Sequence, residues 1–382
     1  MNQNLQSPLK TDVCIVGAGP GGALLSYLLN QKGISTMLIE RQPHLHKSFR
    51  GELLNVDGET ILNKHGLYSL VKERGALLLE QIQYWENGQI VHTISPGNGE
   101  SHVGIHVPQD HLLEAITSHA QQHSSNEPVR FNTIMTGMLR DKNGHIVGIN
   151  IRQNGVPASI EASVIVGADG RYSAVRKHSG LTPEIRKHGY DLLWARIPAP
   201  IGWEPAVRMA SMDGQQLALF SQFGGYVQIG WNIPEGAYSK LREQPIAPFV
   251  DKLVSAFPCL SDSVAANIQS WSDFVLLSVE SSYCQSWAQD NVVLIGDAAH
   301  TMTPTGAFGL NAALEDADVL SELLVQMATD QFNSTAQLQE LQTIRGAKVQ
   351  QQLARQVEME SSFQQRYESF LQNPIRSPDT NT

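Results

Sequence analysis

A chain of 382 residues with 41 % hydrophobic and 17 % charged side chains can bury a large core and is too apolar to be disordered. Its net charge of −10 argues against nucleic acid or an anionic membrane as a partner, but leaves anionic small molecules open. The N-terminal MNQNLQSPLK has no apolar stretch and no run approaches the roughly 18 apolar residues of a membrane span, so a cytoplasmic protein without a stable membrane anchor is expected.

In chain order, "TDVCIVGAG" reads as a short buried strand entering a Gly turn, with Cys14 as core packing. "GGALLSYLLNQKG" has apolar residues at helical spacing and a C-capping Gly33, and "ISTMLIE" is a second strand. Together they form a βαβ unit. "HLLEAITSHAQQH" reads as a helix, and "GHIVGINIR" and "ASVIVGADG" as strands. From about residue 186 to 284, alternating segments such as "QLALFSQF" and "YVQIGWNIP" predict an antiparallel sheet with few long helices. "NVVLIGDAAH" returns to the buried-strand style, and from Leu310 onward the pattern is helical, including an amphipathic helix over 353–371. The expected organisation is α/β. A discontinuous Rossmann-like domain (8–75, 105–182 and 285–330) holds an inserted β-rich domain (76–104 and 183–284), with C-terminal helices over 331–382.

Three blocks carry chemistry. In "GAGPGG", Gly17, Gly19 and Gly22 permit a tight turn and close approach of a pyrophosphate to a helix N-terminus. Glu40, at the end of the second strand, is spaced to hold a ribose hydroxyl. In "VIVGADGRYSAVR", a buried strand ends at Asp169-Gly170, and Ser173 and Arg176 open a helix. In "VVLIGDAAHTMTPTGAFGLNAALEDA", a strand ends at Gly296-Asp297 and a Pro/Gly loop enters a helix near Leu310. Each strand-end Asp can hydrogen-bond a sugar hydroxyl, and a helix N-terminus favours negative charge placed before it.

These blocks, in this order, resemble those of the single-component FAD-dependent aromatic hydroxylases typified by para-hydroxybenzoate hydroxylase, over nearly the whole chain. The resemblance implies a Rossmann-like FAD-binding fold with an inserted antiparallel substrate sheet. Gly17, Gly19 and Gly22 would hold the FAD pyrophosphate, Glu40 the adenosine ribose, and Arg41 would lie near the adenosine. Arg50 would contact FAD, Gln109 would lie near the ribityl chain, and Met135 would meet the adenine through its backbone. Asp169 would face FAD and a transient nicotinamide, Asp297 the ribityl chain, and Pro304 with Gly309, Leu310 and Asn311 the flavin ring. Phe223, Trp231 and Phe308 are candidate walls of the substrate pocket, with sheet packing the competing role for the strand aromatics. One departure stands out: Ala307 replaces a glycine of the flavin loop, and alanine resists positive φ. The implied reaction uses NADPH or NADH and O2 to hydroxylate a small aromatic or polyketide-like substrate through a flavin C(4a)-hydroperoxide, in a monomer or homodimer.

The segment "FRGELLNVDGETILNKHGL" also resembles flavin-dependent halogenases and geranylgeranyl reductases. Against halogenation, "IGWNIP" has Ile229 where halogenases carry the first Trp of W-x-W-x-I-P, and Lys72 lies in a solvated helical setting rather than an active-site one. A non-catalytic FAD-binding protein is the remaining alternative. His44 and His46 form an H-x-H on a polar loop without acidic or cysteine companions, so no metal site is expected. His300 of "GDAAH" reads as structural or close to FAD rather than as a general base.

Overall fold

The computed structural model describes residues 7–45, 52–97, 99–122, 129–332 and 336–372. Arg50 and His46 lie outside the described residues. The first sheet is built on four parallel strands. Leu9–Val16 pairs with Thr36–Ile39 on one side and Val156–Gly167 on the other, and Val156–Gly167 pairs with Val292–Leu294. Helices cover such strands on both faces, so they read as unbroken apolar runs: Val13–Ile15, Val164–Val166 and Val292–Leu294 are all 0 % exposed. Cys14 sits in this core, where burial pushes its thiol up to about 12, so it packs rather than reacts. An antiparallel meander, Thr133–Arg140 and Ile146–Gln153, joins the outer half of Val156–Gly167.

The crossover helix Pro20–Gln31 starts with Pro20, whose missing N–H costs nothing in a first turn. It packs closely on the helix Phe308–Thr329, because Gly21 presents no side chain: a Cβ there would lie 2.9 Å from the Ala313 carbonyl oxygen.

The second sheet has eight strands. Its order is His300–Thr301, Val275–Cys284, Pro183–Pro198, Tyr226–Pro234, Gln215–Gln222, Ala206–Met212, Gln81–Glu86, Gln89–Ile94. Period-two alternation sends Leu193, Ala195, Ile197, Ile229 and Trp231 to one face, where they form a second core with Phe249, Phe257 and Trp271. Leu192, Trp194, Phe220, Gln222, Gln228 and Gly230 take the opposite face by the same alternation. A third, small sheet of Leu53–Leu54, Gly104–His106 and Leu77–Leu79 lies between the two.

Three features differ from the sequence expectation. Residues 238–267 leave the sheet as helices Tyr238–Leu241, Ala247–Ala256 and Ser261–Asn267, which supply the cover for its apolar face. The amphipathic stretch over 353–371 is broken at Ser362, into Glu340–Ser361 and Phe363–Gln372. Trp231, a candidate pocket wall, lies on the covered face of its strand Tyr226–Pro234. Trp231 is 2 % exposed and stacks on Phe249 with ring centroids 3.8 Å apart, so it is core and not a pocket wall.

Candidate functional site

Strand register gathers the three sequence blocks. Val16 is level with Gly167, and Gly167 with Leu294, so the turns starting at Gly17, Ala168 and Ile295 emerge at one carboxyl edge of the parallel sheet. Ligands of open α/β sheets bind at such an edge. The turns then lock together. Gly17 has φ +105°, and a Cβ there would lie 2.4 Å from the Ala168 carbonyl oxygen. A Cβ on Gly22 would lie 2.1 Å from the Gly17 oxygen. Gly19, the N-cap of the crossover helix, has nothing within 4 Å of its Cβ direction. A helix N-terminus with open space before it suits a phosphate. Glu40 is 4 % exposed and accepts the Ala18 N–H at 3.0 Å and the Gln42 N–H at 3.0 Å, which sets its carboxylate against the Gly turn.

The second block braces the third. Arg176 donates to the carbonyls of Ala298 (2.7 Å) and Arg171 (2.6 Å), tying the two turns together. Asp169 turns its carboxylate into its own helix, accepting from Ser173 Oγ (2.5 Å) and the N–H groups of Ala174 (2.6 Å) and Val175 (3.2 Å). Burial raises its pKa against these hydrogen bonds. The sequence expectation had Asp169 facing FAD and a nicotinamide; in the structure its carboxylate caps the helix Ala174–Ser179, whose N-terminus offers it donors. Behind the third block, Asp316 is fully buried and bonds the Gly296 N–H (2.9 Å), His300 Nε2 (2.6 Å) and Arg345 Nε (2.9 Å). Burial opposes ionisation of Asp316, but His300 and Arg345 outweigh it and hold the carboxyl below its usual range. His300 is therefore part of a buried brace. The Asp297 carboxylate stays near Gly309, 3.9 Å from where a Cβ would sit, beside the N-terminus of Phe308–Thr329.

The Pro304–Gly309 loop is held from three sides. Ala307 adopts the left-handed region (φ 53°, ψ 40°), so the backbone keeps a glycine-like conformation with an alanine in place. Phe308 packs its ring over Gly306, with the Arg355 guanidinium 5.9 Å from the ring centroid. Asn311 is 0 % exposed; its Nδ2 donates to the carbonyls of Leu53 (3.1 Å) and Ala307 (2.7 Å), and its Oδ1 accepts the Asn55 N–H (3.1 Å). Gly58 makes room, since a Cβ there would meet Asn311 Oδ1 at 2.0 Å. From the C-terminal helix, Gln356 pairs with Thr303 through its N–H (3.2 Å) and carbonyl (2.7 Å). Glu360 accepts from Thr303 Oγ1 (2.7 Å) and the Tyr190 hydroxyl (2.9 Å) and pairs with His188 (2.6 Å). Burial works to raise the Glu360 pKa, but His188 and the hydroxyls prevail and lower it. This brace was not legible beforehand, because Gln356 and Glu360 lie about 50 residues from the loop in a helix that reads as ordinary amphipathic cover.

Of the other expected residues, Gln109 is 6 % exposed and opens the helix Gln109–Gln122, and Met135 is a buried residue of Thr133–Arg140. Arg41 is exposed beyond Glu40. Phe223 sits at the hairpin between two sheet strands, packed against Gly75 and 5.6 Å from the His111 ring, where it joins the large sheet to the first domain.

The FAD-binding-domain family matches residues 10–356 of the chain. The chain belongs to this family. A 6-methylpretetramide 4-monooxygenase of Streptomyces rimosus is 32 % identical over 317 residues, covering 80 % of this chain and 73 % of the relative. Among solved structures, PqsL of P. aeruginosa in complex with 2-aminobenzoylacetate superposes with a TM-score of 0.81 at 21 % identity, over 95 % of this chain and all of the other. The p-nitrophenol 4-monooxygenase PnpA of Pseudomonas putida gives 0.79 at 18 % identity, over 95 % and 93 %. The family shares the Rossmann-like FAD-binding fold with an inserted sheet, and this chain is an FAD-dependent monooxygenase of it. Neither halogenation nor double-bond reduction is favoured by these relatives. The geometry fits the cofactor: Gly17 and Gly22 sit where any side chain would collide, Gly19 faces open space, Glu40 stands against the same turn, and Asp297 stands beside Gly309 at the third.

Proposed function

We propose that the protein uses NADPH or NADH and O2 to hydroxylate a small aromatic or polyketide-like molecule. The observation that carries this reading is the convergence of the three turns at one sheet edge, beside a loop clamped against the aromatic- and amide-bearing face of the large sheet. FAD, when bound, supplies the redox chemistry and the activation of oxygen. The chain's own work is binding, orientation and exclusion of water. Gly17, Gly19 and Gly22 with the helix N-terminus hold the pyrophosphate, Glu40 the adenosine ribose, and Asp297 the ribityl chain. The Pro304–Asn311 segment, fixed by Asn311, Gln356 and Glu360, positions the ring edge and keeps the site closed. Trp194 and Phe220, 6.1 Å apart on the sheet face, orient a flat substrate. Only one Gly-rich dinucleotide turn is present, which fits a nicotinamide that docks transiently.

The test is a panel of phenols, quinolones and polyketide fragments scored by stimulated NAD(P)H oxidation and product mass under 18O2. Incorporation of one 18O atom into an aromatic product is the expected result. Absence of label in every product, with chloride or bromide incorporated instead, would overturn the reading.

A further inference from the structure

A buried polar chain links the small sheet to the large one, and its hydrogen-bond directions can be fixed from one end. The Phe223 N–H donates to His106 Nδ1 at 3.0 Å, so that nitrogen is an acceptor. His106 Nε2 therefore carries the proton and donates to Glu52 Oε2 at 3.2 Å. Gln222 also contacts Glu52 Oε2, at 3.1 Å; a carboxylate only accepts, so the contact atom is the amide nitrogen. The same nitrogen donates to Gln228 Oε1, which orients the second amide as well. His106, Gln222 and Gln228 are 5 %, 5 % and 8 % exposed.

This arrangement leaves Glu52 Oε1 and Gln228 Nε2 without a partner among the described residues, though neither is sealed from solvent. One is a charged acceptor and the other a donor. They stand at one end of the sheet face that carries Trp194 and Phe220: Gln228 is level with Phe220 and Arg196, and Trp194 lies over Gly230 two residues along. At the other end of that face the Tyr190 hydroxyl reaches Thr305 of the cofactor loop, 3.3 Å away. Glu52 also adjoins Leu53, whose carbonyl Asn311 holds.

We infer that Glu52 and Gln228 form the polar end of the substrate chamber and select a flat ring system that carries a hydroxyl and a second oxygen near it. An acidic ring or enol hydroxyl donates to Glu52 Oε1, and a neighbouring oxygen accepts from Gln228 Nε2. His106 and Gln222 are positioning residues that hold Glu52 in place. The inference takes its substrate class from the monooxygenase reading and its geometry from the chain alone. A site built around a substrate hydroxyl rejects the analogue lacking it, because the bound ring then displaces water from its polar groups without pairing them.

The test is binding to the FAD-loaded protein, read as the change in flavin absorbance, with 1,3-dihydroxynaphthalene and its 1,3-dimethyl ether as probes. The native protein should prefer the diol by about tenfold or more. Glu52→Gln should erase that preference while ether affinity and FAD content stay unchanged, and Gln228→Leu should remove part of it. Should Glu52→Gln lose FAD, Gln228→Leu carries the comparison, as its side chain joins the cluster only through Gln222. Equal losses for both probes, no loss for either, or no preference in the native protein would each overturn the inference. None of these outcomes reads turnover, so the monooxygenase reading stands or falls separately on the 18O experiment.

Discussion

Replacing Asn311 by alanine tests whether the cofactor loop is held by the protein itself. The side chain makes three hydrogen bonds in a fully buried setting, to Leu53, Ala307 and Asn55. Each contributes about 1 kcal/mol net, so losing all three costs about 3 kcal/mol, roughly a hundredfold in the folded-to-unfolded ratio. The damage is also local. Asn55 caps the helix Val56–Lys64 through the N–H groups of Asp57 and Gly58, and Ala307 sits at the start of the ring-facing helix, so both ends of the suture loosen together. Asn311→Asp makes an internal control: it keeps an acceptor for Asn55 but sets a carboxylate against two carbonyl oxygens, and should be at least as damaging. Urea unfolding of the FAD-loaded protein gives the stability change, and flavin fluorescence gives cofactor affinity. A loss under about 1 kcal/mol with unchanged FAD affinity would refute the role assigned to Asn311.

Gly22→Ala should abolish FAD loading while leaving a folded chain, since its Cβ would lie 2.1 Å from the Gly17 oxygen; full loading, measured by the flavin-to-protein absorbance ratio, would contradict the turn geometry. Ala307→Gly should raise stability by up to about 1 kcal/mol in the same urea assay, because glycine accepts the positive φ that alanine bears at a cost. Acid should loosen the braces behind the cofactor loop. Asp316 and Glu360 have lowered pKa values in the folded state, so their contribution is present above the ordinary carboxylate range and is lost as pH falls below about 4. Unfolding followed against pH should therefore steepen there, and Glu360→Gln should flatten part of that dependence; an unaltered profile would remove Glu360 from the brace.

Much of the FAD-binding half was legible because its signals are local. A Gly turn after an apolar run, an acid about 20 residues on, and Asp-Gly or Gly-Asp at a strand end each depend on a few neighbouring residues. The large sheet was harder to read. Its alternation was visible, but which face meets the cofactor was not, and Trp231 illustrates the cost: an aromatic on a strand reads the same whether it faces a ligand or a covering helix. The covering helices themselves, over 238–267, are short, the longest being the ten residues of Ala247–Ala256.

The sequence by itself determined the strand–turn–helix units, which follow from backbone freedom at glycine and from apolar periodicity, and the resemblance of its three ordered blocks to known hydroxylases pointed to the family and its cofactor. Only the tertiary structure decided how the parts answer to one another. Parallel register brought three turns from residues 17, 168 and 295 to one edge. Folding set Asp169 to cap its own helix, made Ala307 adopt a glycine-like conformation, and joined Asn311 to Leu53 across 258 positions. Glu52, given no role by "GELLN" as sequence, acquired its orientation from His106 and Gln222, two residues no local pattern connects to it. Such contacts depend on which surfaces meet once both cores are buried, and that is a property of packing rather than of any short stretch of chain.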